Sequence, residues 1–74
     1  MQLSDAVTTV LKEELGYSAV LFLQRCMKEN LGKSPAMLTR EDLPALADAC
    51  ALAVGRTLGD GVAVRVRERI LSLR

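Results

Sequence analysis

Leu43, Leu46, Ala47, Cys50, Val54 and Leu58 recur at helical intervals within the stretch Leu38–Leu58, and this spacing constrains the fold most. Residues three and four apart lie one above the other on a helix, so the six form one apolar face. Ala47, Ala51 and Gly55 make an overlapping line at intervals of four. Rows of small residues let two helix backbones approach closely, and in membranes the same spacing pairs helices. Asp48 and Arg56 argue against a membrane span here. The line therefore predicts a close crossing, with another helix of this chain or with a second copy.

The entry to this helix carries two conflicting signals. Thr39 followed by Asp42 is close to a capping box, and Leu38 with Leu43 fits a hydrophobic staple. Pro44 has no amide proton and disfavours helical geometry at Leu43. Either the helix starts at Thr39 and loses a hydrogen bond at Pro44, or residues 39–43 form one loose turn and the regular helix follows.

Two helices are expected before this stretch. Ser4 is a candidate N-cap, with Asp5 at the positive end of the helix dipole. Val7, Val10, Leu11 and Leu15 form the inner face, and Gly16 suits the stop. A second helix runs from Tyr17 or Ser18 to Leu31, where Gly32 ends it. Ala19, Val20, Phe22, Leu23, Cys26, Met27 and Leu31 make an apolar arc wide enough for the most buried helix of a small bundle. Leu21 falls on the polar side of that arc, either as an isolated exposed leucine or as a contact for a partner. Glu29 and Lys33 stand at the favourable spacing for a surface ion pair.

The last segment is ambiguous by pattern. Val62, Val64 and Val66 alternate with Ala63, Arg65 and Arg67, as in a strand. Val62, Val66, Ile70 and Leu73 also fit one helical face. A lone strand leaves backbone groups unpaired unless two chains join edge to edge, so residues 61–73 are expected to be helical, with Asp60 as cap. Val64 and Leu71 then project as exposed apolar positions.

These elements predict an all-α fold, a small bundle of three or four short helices in a single domain, residues 1–74. Such a chain buries only about 60% of its unfolded surface. With one Tyr and one Phe, its core rests on Leu, Val, Ala and Met. Association is the natural way to enlarge that core. A homo-oligomer, with a dimer favoured, or a complex with another protein is expected, through Ala47, Ala51, Gly55, Leu21, Val64 and Leu71.

Catalytic constellations can be argued against. The chain has no histidine, so triads that need one are excluded. Glu13/Glu14 and Glu41/Asp42 read as solvated surface. Gly55, Gly59 and Gly61 lack the strand and lysine of a phosphate loop. Cys26 and Cys50 sit among apolar neighbours and read as buried reduced thiols, a bridge or redox pair being the less favoured alternative. No cofactor or metal is implied.

The net charge is +1, but residues 55–74 carry five Arg against one Asp and one Glu. Arg56, Arg65, Arg67, Arg69 and Arg74 are therefore the candidate polyanion contacts. They support an alternative reading as a weak, salt-dependent nucleic-acid binder, although no aromatics are interleaved for base stacking. No signal peptide pattern is visible, and the longest uncharged run, Leu15–Gln24, is far below the ~20 residues of a membrane span. The expected setting is cytoplasmic. The favoured function is a non-enzymatic oligomerisation or protein-interaction module, or an accessory subunit.

Overall fold

The computed structural model describes residues 2–74. Among these residues four α-helices run in order: α1 Leu3–Leu15, α2 Ala19–Asn30, α3 Leu43–Leu58 and α4 Asp60–Leu71. A 3-10 turn, Gly16–Ser18, joins α1 to α2. Two more, Pro35–Met37 and Arg40–Asp42, lie between α2 and α3. No strand occurs among the described residues. The fold is the expected all-α bundle, and residues 62–67 are helical.

α1 begins earlier than its sequence suggests. Gln2 occupies the cap in an extended conformation, and its carbonyl accepts the amides of Asp5 and Ala6 at 3.0 and 3.4 Å. Ser4 is therefore not the cap. It lies inside the first turn, buried, where its carbonyl accepts the Thr8 hydroxyl at 2.8 Å. Gly16, at φ 65°, ends the helix as expected.

The entry to α3 settles the conflict between Thr39 and Pro44. Arg40–Asp42 form a single 3-10 turn and the α-helix starts at Leu43. Pro44 thus falls in the first helical turn, where a missing amide proton is harmless because those amides have no intrahelical partner. The Asp42 carboxylate oxygen Oδ2 accepts the Thr39 amide and the Thr39 hydroxyl, both at 3.0 Å. The Lys33 ammonium joins the same oxygen at 2.6 Å. Lys33 pairs here instead of with Glu29, because Gly32 has already ended α2 and carried Lys33 off the helix. Leu38 and Leu43 both enter the core beneath this knot.

α3 supplies the densest part of the core. Leu43, Leu46, Ala47, Cys50 and Val54 are all completely buried. Each large aliphatic side chain removed from water contributes about 1.5–3 kcal/mol. Leu58, the last residue of the predicted face, is exposed. α2 buries four of its twelve residues against five of sixteen in α3, so the expectation of a well-buried α2 holds in proportion, although its arc is wider than the face that is covered. Only Ala19, Leu23, Cys26 and Met27 of its arc are buried, while Val20 is exposed and Phe22 half-buried. Period alone defined the arc, but α1 and α3 cover only one side of it.

Gly59 joins α3 to α4 as the sole intervening residue. At φ 93° and ψ 167° it occupies a region open essentially to glycine alone. It serves as the C-cap of α3 and the N-cap of α4, and its carbonyl accepts the Ala63 amide at 3.2 Å. Asp60 is therefore the first residue of α4 and not its cap. Its charge still lies at the favourable end of the dipole. α4 folds directly back on α3, the most extensive helix–helix contact in the chain, and inserts Val66 and Ile70 into the core.

Two predictions follow from these junctions. Gly59→Ala should destabilise the protein by about 1–3 kcal/mol, whereas Gly61→Ala, inside α4 with open space around it, should stabilise it by about 0.4–1 kcal/mol. Thermal midpoints moving in the same direction would contradict this. The second concerns acid. Lys33, followed by the Thr39 amide, holds the Asp42 carboxyl below its ordinary value of 3.8. A depressed folded-state pKa gives stability that is complete above the unfolded value and is lost as pH falls through the folded one. The stability gap between parent and Asp42→Asn, read by urea denaturation, should be constant near neutrality and shrink in that acid range. A gap that does not change with pH would contradict it.

Candidate interaction surface

The predicted small-residue line turns inward. Ala47 is completely buried, and Ala51 and Gly55 are half-buried. A Cβ placed on Gly55 would lie 3.5 Å from the Ala63 Cβ and 3.7 Å from the Asp60 carboxylate. Gly55 therefore faces the chain's own α4, at a distance that would also admit an alanine. Ala47 and Gly55 are corrected as partner contacts, because the tight corner at Gly59 presses α4 against this side of α3. Leu71 is half-buried against the core and not the exposed position expected. Val64 is exposed on α4.

The exposed apolar surface lies on the other side of α3, toward α2. Phe22 and Cys26 of α2 and Ala49, Leu52 and Ala53 of α3 line an open groove of about 360 Å³. Leu21 and Phe22 line an adjoining hollow with Ser18 and Arg25. Phe22 and Arg25 line both depressions, with Leu52 in the one and Leu21 in the other. Leu21 is 71% exposed and Leu52 62% exposed. Arg25, Glu29, Asn30 and Arg56 complete the groove. Neither Arg25, Glu29 nor Arg56 has an ion-pair partner among the described residues.

Of the six interface positions read from the sequence, only Leu21 belongs to this surface. Phe22 was assigned to the core, and Leu52 was not singled out. A signal for Leu52 existed. It stands two residues from both Cys50 and Val54, which puts it on the opposite side of α3 from the buried face.

The arginines of α4 are largely committed within the chain. Arg65 meets Glu14 of α1 through two parallel hydrogen bonds, Nε to Oε1 and Nη2 to Oε2, each 3.2 Å. Arg67 Nε reaches Asp48 of α3 at 2.8 Å, and Arg69 pairs with Glu13 of α1. Glu13 and Glu14 are therefore ion-pair partners, not merely solvated acids. Such exposed pairs contribute about 0–1 kcal/mol each. Their larger effect is to cancel much of the positive field of α4. Arg56 and Arg74 remain exposed with no carboxylate partner among the described residues. Arg40, in the turn before α3, donates instead to the carbonyls of Leu73 and Arg74 beyond α4, at 2.8 and 2.9 Å.

Cys26 and Cys50 are free and buried, one on α2 and one on α3, close enough for each to shift the other's ionisation. The influence of Cys50 lowers the Cys26 pKa below the ordinary thiol value despite burial. The Cys50 thiol is pushed far upward by Cys26 and by desolvation. Of the two, Cys26 ionises first. Cys26 lines the groove, whereas Cys50 is completely enclosed.

Comparisons with protein-family models, curated proteins and solved structures find no match for this chain. Among the described residues, no helix is long and apolar enough to cross a membrane.

Proposed function

We propose that this chain is a non-enzymatic interaction module that pairs with a second copy of itself through the α2–α3 face. The observation that carries the reading is the exposure of Leu21 and Leu52 in two depressions that share Phe22, one of them a groove between α2 and α3. Its one phenylalanine is half-buried, leaving an aromatic ring as a partial anchor of the kind that dominates interface energetics. Leu21 and Leu52 stand exposed beside it, in a chain whose own core is small.

Charge supports a second copy as the occupant. A two-fold contact sets each patch against itself, so a surface suited to it carries both members of its polar pairs. The groove carries Arg25 and Arg56 together with Glu29, all without ion pairs within the chain among the described residues. In a two-fold pair an arginine of one copy can meet Glu29 of the other. The proposal keeps the cytoplasmic setting expected from the sequence. The commitment of Arg65, Arg67 and Arg69 to carboxylates of α1 and α3 weighs against the polyanion alternative, which is left with Arg56 and Arg74.

Sedimentation velocity across a concentration series tests the reading. The parent should shift from monomer to dimer with increasing concentration, and Leu52→Asp should remain monomeric. Because Leu52 is exposed, that variant should keep its helical circular dichroism and lose no more than about 0.5 kcal/mol of stability. A parent that stays monomeric throughout, or a Leu52→Asp variant that associates like the parent, would overturn it.

A further inference from the structure

We infer that two copies of the chain dock with their α2–α3 grooves running in opposite directions, so that Glu29 of each copy lies against Arg25 and Arg56 of the other. The inference rests on self-association through this face and goes beyond it, because it fixes the orientation of the contact and its response to salt.

The groove has a direction. The Lys33 ammonium, just past the end of α2, bonds the Asp42 carboxylate, just before α3, at 2.6 Å. The end of α2 therefore lies beside the start of α3, and from that common end the two helices run antiparallel along the groove. Glu29 and Asn30 of α2 share this end with Ala49 of α3, whereas Phe22 and Arg25 lie toward the other end with Arg56. Glu29 stands about one helical turn along α2 from Arg25.

Charge is unequal along this direction. Arg25 and Arg56 place two cations toward one end. Glu29 is the only charged group lining the other, since Asn30 is neutral and donates to the Cys26 carbonyl at 2.9 Å. None of the three charged groups is ion-paired within the chain among the described residues. The nearby acid of α3, Asp48, is held by Arg67 of α4 and does not line the groove.

A face-to-face pair of identical copies has its two-fold axis in the plane of contact. An axis along the groove brings like ends together, setting arginines against arginines and Glu29 against its own copy. An axis across the groove sets the cationic end of each copy against Glu29 of the other. Like charges across an interface are unfavourable, and opposite charges fix its register. Charge therefore selects the crossed axis. The same arrangement lays the Phe22 end of one copy over the Ala49 end of the other, an aromatic ring against a small side chain instead of ring against ring. Glu29, Arg25 and Arg56 are all exposed at the surface, so added salt screens their attraction and loosens the pair.

Sedimentation equilibrium of the full chain tests the orientation by the sign of each effect. Association of the parent should weaken as sodium chloride is raised well above physiological strength. Glu29→Gln removes the attraction on both sides of the two-fold at once, and should raise the dimer Kd about three- to tenfold and flatten the salt response. Arg56→Gln should weaken the pair by a smaller factor, because Arg25 remains. Grooves running in the same direction give the opposite sign, tighter association on Glu29→Gln and on adding salt. In an equimolar mixture of isotope-labelled and unlabelled chain, intermolecular NOEs should join the Phe22 ring of one copy to the Ala49 methyl group of the other. A dimeric parent with tighter or unchanged association in Glu29→Gln would overturn the orientation and leave self-association standing. A parent that is monomeric even in low salt would overturn both.

Discussion

The close crossing of α3 and α4 is the contact on which the rest of the structure depends. A single residue, Gly59, turns the chain between them. Gly55 faces α4, with the Ala63 Cβ at ordinary van der Waals distance from where a Cβ would stand. With that approach made, Val66 and Ile70 complete the core that α3 begins with Leu43, Leu46 and Val54. The same placement carries Arg65 and Arg69 to Glu14 and Glu13 of α1, and Arg67 to Asp48. The ion pairs follow from the crossing and add little to it, since exposed pairs are weak and screened by salt.

The tightness on one side of α3 explains the openness on the other. α4 packs extensively along the small-residue side, whereas α2 meets α3 less extensively and leaves Phe22 and Leu52 beside a groove. A core limited to short aliphatic side chains cannot cover every apolar position on four helices. Leu21 and Leu52 are among the positions left over, with Tyr17, Val20, Met37, Leu58 and Val64. The grouping of Leu21 and Leu52 around Phe22, and not exposure alone, separates them from isolated surface residues such as Val64, because scattered apolar exposure is ordinary.

Much of the fold was legible in the sequence where local chemistry decides the outcome. The face of α3, the stops at Gly16 and Gly32, the Thr39–Asp42 bonds and the helical state of residues 62–67 all follow from period, glycine placement or hydrogen-bond accounting. Pro44 was legible as a conflict with two resolutions, and the 3-10 turn is one of them. Ser4 resembled a cap but sits two residues too deep, because Gln2 adopts the extended conformation that a cap requires. The reach of Arg65 to Glu14 spans elements far apart in the chain, so spacing could not reveal it. The sidedness of α2 was equally hidden. Period assigns residues to a face but does not say which faces a neighbour will cover. For the same reason the small-residue line left open a helix of this chain or a second copy as its partner, and α4 faces it at Gly55.

The interaction reading therefore rests on one spatial claim: a second copy covers the α2–α3 side around Leu21, Phe22 and Leu52. Amide chemical shifts recorded by two-dimensional NMR over a dilution series test that claim most directly. Concentration-dependent changes should concentrate at residues 18–29 of α2 and 49–56 of α3, with α4 little affected. Changes centred on Val64 and the arginines of α4, or a spectrum that does not change on dilution, would contradict it.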